Sequence, residues 1–181
     1  YGNVVGSRGS VIPYFLAQKS TGTLTITDTR MTRFLITLDQ GVEFVINCLD
    51  IMFGGEIFVP KIPSVKITQI AQVIGPQCQH QIIGIRPGEK LHETMVPEED
   101  SRLTLEFPSY FLIQPTHDYW NSTEGNHGNG APCPEGYRYS SDNNTWWLKD
   151  TEIQDMVNNI LNSPESYDQP SAQEPNFIVG G

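Results

Sequence analysis

No apolar run in this sequence approaches the ~20 residues needed for a helix that spans a bilayer. Cysteine is scarce. Cys48, Cys78 and Cys133 are odd in number, widely spaced and without a Cys-x-x-Cys pair. That argues against a disulfide framework and against a structural zinc site, and suits a reducing cytoplasm. Positive charge is short as well, with 11 Lys and Arg against 21 Asp and Glu and a net charge of -10. A polyanion needs clustered cations, so nucleic acid is not an expected partner. The deficit is uneven: residues 1–100 carry eight Lys/Arg and ten Asp/Glu, and residues 101–181 carry three and eleven. A small anionic ligand held by placed arginines stays open, with Arg8, Arg30, Arg33 and Arg86 as candidates. A methionine start is also missing, and nothing before Tyr1 reads as a signal peptide. Tyr1 to Val5 reads as the end of a strand already under way, so the expectation is a fragment lacking its N-terminal part.

What is present is concentrated at Ile85-Arg86-Pro87-Gly88-Glu89-Lys90-Leu91-His92-Glu93. Pro87 fixes one backbone angle and Gly88 permits positive φ, so this turn has a definite shape. It aims Arg86 and Glu89 in set directions. A held arginine suits bidentate contact with phosphate, and a nearby carboxylate suits sugar hydroxyls. The plain alternative is a surface turn of solvated charges.

The rest of the first hundred residues alternates strand and helix signals. Ser10 and Pro13 mark a helix start after a glycine-containing turn. Leu24 to Thr27 alternates as a half-buried strand. Asp28 to Phe34 reads as a polar, basic loop. Thr37 and Gln40 have capping-box spacing, and Val42, Val45, Ile46, Leu49 and Phe53 continue as an amphipathic helix. Glu56 to Pro60 is a short strand. Ile67, Ile70, Ala71 and Ile74 mark a helix ended by Gly75-Pro76, and Ile82 to Ile85 a strand feeding the charged turn. This order predicts an α/β architecture. Beyond residue 100 the sequence is rich in aromatics, Pro, Gly and Asn. A strand is expected within 107–113, a loop over 121–134, a helix over roughly 151–162 and a disordered tail from Ser163. The expected division is 1–100, 101–162 and 163–181. His117, His127 and Cys133 are too irregularly spaced to predict a metal site. Trp146-Trp147 is expected to anchor the second segment.

Four ordered blocks carry a family resemblance: YGNVVGSRGSVIPYF (1–15), LTITDTRMTRFLITLDQGVEFV (24–45), GGEIFVPKIPSVKITQIA (54–71) and GIRPGEKLHETMVPEED (84–100). Together they resemble the inverting UDP-N-acetylglucosamine 4,6-dehydratases of the extended short-chain dehydrogenase/reductase superfamily. YRYSSDNNTWWL (137–148) resembles the extension of bacterial members that start pseudaminic acid synthesis. The resemblance implies the C-terminal part of an extended Rossmann-type fold, with the last core strands, a substrate-binding lobe and an irregular extension ending in a helix. It implies NADP as cofactor, UDP-N-acetylglucosamine as substrate and a homo-oligomer at full length. The glycine-rich cofactor loop and the catalytic Tyr-x-x-x-Lys pair have no matching position here, since Tyr14 to Gln18 does not supply the latter. Catalytic residues are therefore expected upstream of residue 1, and the chain alone is expected to be inactive.

By the same resemblance Asn3, Arg8, Thr29, Arg33, Arg86 and Glu89 bind substrate, with Arg86 on the diphosphate and Glu89 on a ribose hydroxyl. Val4, Val5, Gly6, Ser7 and Arg8 border the cofactor, with a backbone amide near Val5 reaching the nicotinamide carboxamide. Residues alone do not separate Arg30 from Arg33, nor a binding Val4-Val5 from plain core. Lys61 could brace the site, and Lys90 either pairs with Glu93 at helical spacing or is solvated. A UDP-N-acetylglucosamine epimerase, a retaining dehydratase and a noncatalytic UDP-sugar-binding module are the competing readings.

Overall fold

The computed structural model describes residues 2–7, 9–116 and 128–162. Arg8, His117, His127 and residues 163–181, with the roles expected of them, lie outside the described residues.

Local signals set the helices. Helix α1 (Val11–Lys19) follows Ser10 as N-cap, with Pro13 in its first turn, where a missing amide proton costs nothing. Helix α2 (Leu38–Ile51) starts at the Thr37 capping box: Thr37 accepts from the Gln40 amide at 3.2 Å, and the Gln40 side chain accepts from the Thr37 amide at 3.0 Å. Helix α3 (Ile67–Ile74) buries Ile67, Ile70, Ala71 and Ile74 on one face. Helix α4 (Asp150–Asn162) buries Ile153, Val157 and Ile160. The expected face is thus confirmed at its centre, while Leu161 is exposed.

Among the described residues the strands form four small sheets. β1 (Asn3–Val4) runs parallel to β3 (Thr32–Ile36), which pairs antiparallel with β5 (Ser64–Lys66). β2 (Thr23–Ile26) runs parallel to β6 (Gln79–Ile82). β4 (Ile57–Pro60) joins an antiparallel sheet of order β10-β8-β9-β4, where β8 is Thr104–Glu106, β9 is Tyr110–Ile113 and β10 is Ala131–Pro132. β7 (Thr94–Val96) pairs with β11 (Tyr139–Ser140), and a 3-10 turn (Glu98–Leu103) precedes β8. β3 corrects the expected loop over 28–34, since the chain is extended from Thr32 and Phe34 is fully buried. β6 lies three residues earlier than the expected strand.

Among the described residues two apolar clusters hold these layers. One gathers α1, α3, α4 and β2 around Phe15, Leu24, Ile70 and Ile153. The other packs Phe34 and Ile36 of β3 against Val96, Phe111 and Tyr139. The β3 pleat explains the split. Alternate residues face opposite sides, so Leu35 enters the first cluster while Phe34 and Ile36 enter the second. Val5 and Val4 divide in the same way, so both valine side chains are packing residues.

Candidate functional site: a turn clamped to strand β3

The Arg86–Glu89 turn closes with the Glu89 amide donating to the Arg86 carbonyl at 3.1 Å. Gly88 sits at φ 86°, as the third position of a type II turn with Pro at the second requires. Glu89 also caps the turn, because its Oε2 accepts from the Arg86 amide at 3.1 Å. Backbone and carboxylate thus fix the shape from both ends. A carboxylate with one oxygen so used keeps acceptor capacity for a further donor.

β3 holds the segment that follows. The Thr32 amide donates to the Leu91 carbonyl at 3.1 Å. Arg33 reaches across: Nη1 donates to the Thr32 and Leu91 carbonyls at 2.7 and 3.2 Å, and Nη2 to the Lys90 carbonyl at 2.9 Å. Its Nε lies 3.5 Å from Glu93, and the side chain is only 14% exposed. Burial pulls the guanidinium pKa below its ordinary value, while Glu93 and Glu89 oppose that shift. Glu93 therefore faces Arg33. The structure also separates the two arginines that sequence alone leaves equivalent. Arg30 folds back on Asp28 in a two-pronged pair at 3.0 and 2.8 Å, with its side chain 70% exposed. That pair holds the Asp28 carboxyl down to about 2. Thr29 is exposed in the same turn.

A polar cluster ties the turn to the later chain. Thr32 Oγ1 lies 2.8 Å from His92 Nδ1 and 2.6 Å from Ser141 Oγ, and Ser141 Oγ accepts from the Glu93 amide at 2.9 Å. The Ser141 amide returns a bond to the Glu93 carbonyl at 2.8 Å. Thr32, His92 and Ser141 were not separable in the sequence, because no local spacing links residues so far apart. Lys61 serves elsewhere, pairing with Glu106 at 2.6 Å and lying over the Phe111 ring.

Asn3 joins this region through register. It pairs with Leu35, two residues beyond Arg33, so Asn3 and Arg33 lie on the same face of the sheet, about 7 Å apart along the strand direction. The Val5 amide itself donates to the Ile36 carbonyl at 2.9 Å, so it closes the β1–β3 ladder. Past β1 the chain turns at Gly6, φ 78°, where an added Cβ would meet Ile160 at 3.3 Å. At the end of this turn Ser10 Oγ is buried and has no hydrogen-bond partner among the described residues. An unsatisfied buried hydroxyl beside a helix start can accept or donate to a bound polar group. The stretch Val4 to Ser7 with Ser10 thus fits one border of a dinucleotide site.

A family model described as polysaccharide biosynthesis protein matches residues 1–115. The chain belongs to that family. It is 49% identical over 167 residues to the UDP-N-acetylglucosamine 4,6-dehydratase (inverting) of Campylobacter jejuni, a match covering 87% of this chain and 49% of that protein. It is 40% identical over 118 residues to the UDP-glucose 4-epimerase of Rickettsia canadensis, covering 62% of this chain and 35% of that protein. The crystal structure of Pen from Bacillus thuringiensis superposes with a TM-score of 0.71 at 30% identity, covering 89% of this chain and 48% of that one. The fold is the C-terminal region of an extended short-chain dehydrogenase/reductase. The chain spans about half the length of the curated relatives it matches.

Proposed function

We propose that this chain carries the UDP-sugar-binding part of an NADP-dependent, C5-inverting UDP-N-acetylglucosamine 4,6-dehydratase. The 49% identity to proteins of that name, over 87% of the chain, is the observation that carries the reading. In this role Arg86 binds the diphosphate and Glu89 accepts from a ribose hydroxyl while it caps the turn. Arg33 acts behind them, holding Lys90 and Leu91 in place, and Asn3 meets the sugar from β1. Val4 to Ser7, with Arg8 beyond them, border the nicotinamide end. The reaction oxidises carbon 4 of the sugar, removes water across carbons 5 and 6, and reduces carbon 6 with inversion at carbon 5. NADP, when bound, supplies the acceptor and donor of the transferred hydride. The acid and base of the elimination belong to the other half of the enzyme. A cytoplasmic location and a homo-oligomeric full-length enzyme complete the reading. Free thiols at Cys48, Cys78 and Cys133 agree with a reducing compartment, and no helix among the described residues is long and apolar enough to cross a membrane.

Similarity to the epimerases favours a second reading, epimerisation at carbon 4 of a UDP-sugar. One experiment separates the two. The part of the Campylobacter jejuni dehydratase upstream of the match is fused to residues 1–181 and supplied with UDP-N-acetylglucosamine and NADP. Mass spectrometry should find a UDP-sugar product lighter by one water, and NMR should find carbon 5 inverted. A product of unchanged mass with carbon 4 inverted would establish the epimerase instead. In the fused protein Arg86→Ala should raise KM for the UDP-sugar by about tenfold or more, the loss of one charge-assisted phosphate contact. An unchanged KM would remove Arg86 from the site.

A further inference from the structure

Strand β3, the segment after the Arg86–Glu89 turn and the later chain meet in one run of hydrogen bonds, and that run has a direction. It starts at the Glu93 amide, which can only donate, and Ser141 Oγ accepts from it at 2.9 Å. Ser141 is fully buried, so its own hydroxyl proton needs an acceptor inside the protein. Among the described residues that acceptor is Thr32 Oγ1, at 2.6 Å. Thr32 is buried as well, and its proton goes on to His92 Nδ1 at 2.8 Å. Each group in the run thus donates once to the next. Reversed, with a proton on Nδ1 donated to Thr32, the run would leave the Ser141 hydroxyl with nothing to donate to, which is costly in a buried site. Nδ1 is therefore the acceptor, and the imidazole proton sits on Nε2.

We infer that Thr32, His92 and Ser141 are positioning residues: their one-way chain fixes the His92 tautomer and makes the hold of the Arg86–Glu89 turn on a nucleoside diphosphate depend on the later segment. This rests on the binding roles proposed for Arg86 and Glu89. The Ser141 amide also donates to the Glu93 carbonyl at 2.8 Å, so Ser141 grips both backbone groups of Glu93. Thr32 grips Leu91 through its amide and His92 through its hydroxyl. Residues 91–93 are thus held one after another, and Glu89 lies two residues upstream. Arg33 secures Lys90 and Leu91 from β3 alone, whereas the chain through Ser141 brings in the later segment. Ser141 lies outside residues 1–115, the stretch matched by the family model. A match covering 87% of a 181-residue chain, as the dehydratase has, must include it. The later segment is therefore a second support for the turn, added to the one that β3 supplies.

The test uses residues 1–181 fused to the upstream part of the Campylobacter jejuni dehydratase, with UDP as the probe. Nitrogen-15 NMR of the imidazoles above neutral pH should show His92 protonated at Nε2. Titration calorimetry should find UDP bound about fivefold or more weakly by Ser141→Ala and by His92→Ala, the size of one lost hydrogen bond carried over to the ligand. His92→Asn should restore the parent affinity within about twofold, since an amide oxygen can accept from Thr32 as Nδ1 does. For the UDP-sugar, KM should rise in the two alanine variants with kcat unchanged, because only binding is weakened. His92 is half-buried, so His92→Ala keeps the fold even if loss of the buried Ser141 hydroxyl does not, and far-ultraviolet circular dichroism checks both. Parent affinity in His92→Ala would overturn the inference, as would an equal loss in His92→Asn, a fall in kcat at unchanged KM, or a parent His92 protonated at Nδ1. Arg86→Ala separates the inference from the reading beneath it. If that variant binds UDP weakly while both alanine variants bind as the parent does, the positioning role fails and the turn keeps its ligand. If Arg86→Ala binds as the parent does, the turn is not the nucleotide site and the positioning role falls with it. A sugar product of unchanged mass defeats the dehydratase reading alone, since both reactions bind UDP.

Discussion

An arginine side chain that is 14% exposed must find protein acceptors for its donors, and Arg33 finds three backbone carbonyls, two of them on Leu91 and Lys90 across from its own strand. Lysine cannot replace it, because a single ammonium does not span three carbonyls set in different directions. Arg33→Lys should lower unfolding stability by about 1 to 3 kcal/mol, the range for lost charge-assisted hydrogen bonds and incompletely satisfied carbonyls. The urea midpoint reads this loss, and amide exchange should quicken across residues 86–93. A midpoint equal to the parent's would show that the turn holds itself. Arg30 makes the contrast. Its pair with Asp28 has comparable distances, but the arginine is 70% exposed, and water and salt screen it. Arg30→Ala should therefore leave the midpoint nearly unchanged. Geometry is similar in the two cases, and burial decides which matters.

Elements separate into those with a local cause and those without one. The α2 capping box, the apolar period of α3 and the glycine of the Arg86–Glu89 turn depend on neighbours within a few residues, and all were legible. Strands β5, β7, β8, β10 and β11 are two or three residues long, too short for alternation to show. Their partners are also distant. The Ser64 amide donates to the Trp146 carbonyl and the Leu148 amide to the Ser64 carbonyl, so the backbone around the tryptophan pair docks the later segment, while Trp146 itself is 49% exposed. At the site, the turn was visible because its own residues build it. The Arg33 clamp and the Thr32–His92–Ser141 cluster were not, because each needs chain folded from elsewhere. The same holds for α2, whose periodicity announces an apolar face but does not say what covers it.

Tyr139 shows how strongly the later segment is bound in. Its ring packs 4.8 Å from both Phe34 and Phe111, and its hydroxyl bonds the Ile62 amide and carbonyl, each at 3.0 Å. The Ile62 carbonyl has a second donor in Asn144 Nδ2 at 2.8 Å, but the amide depends on the tyrosine. Tyr139→Phe keeps the ring and strands that amide, so it should cost about 1 to 3 kcal/mol. Thermal or urea unfolding checks this. A neutral result would mean that water reaches the Ile62 amide.

For the whole molecule the titrating groups set a stability profile with unequal limbs. Burial pushes Tyr137 up to about 12, with help from Glu106, and raises Tyr139, Tyr110, Cys133 and Cys48 in the same direction. A raised pKa means that the folded state holds protons the unfolded chain releases. The resulting stability is complete below the unfolded values, about 8.5 for thiols and 10 for tyrosine, and drains away as pH climbs toward the folded values. The acidic composition adds self-repulsion as lysines discharge in that same range. On the acid side Asp28 lies near 2 and Asp142 is lowered, so their contribution is present above about 4 and is lost as pH falls toward 2. Asp28, however, owes its shift to an exposed arginine, which salt screens. Urea midpoints should thus be flat from about pH 5 to 8 and fall on both sides. In 1 M salt the acid limb should shrink while the alkaline limb persists, because burial of phenols and thiols does not depend on ionic strength. Tyr137→Phe should flatten the alkaline limb between about pH 10 and 12. If that variant loses stability with pH as steeply as the parent, Tyr137 is not a source of the alkaline weakness.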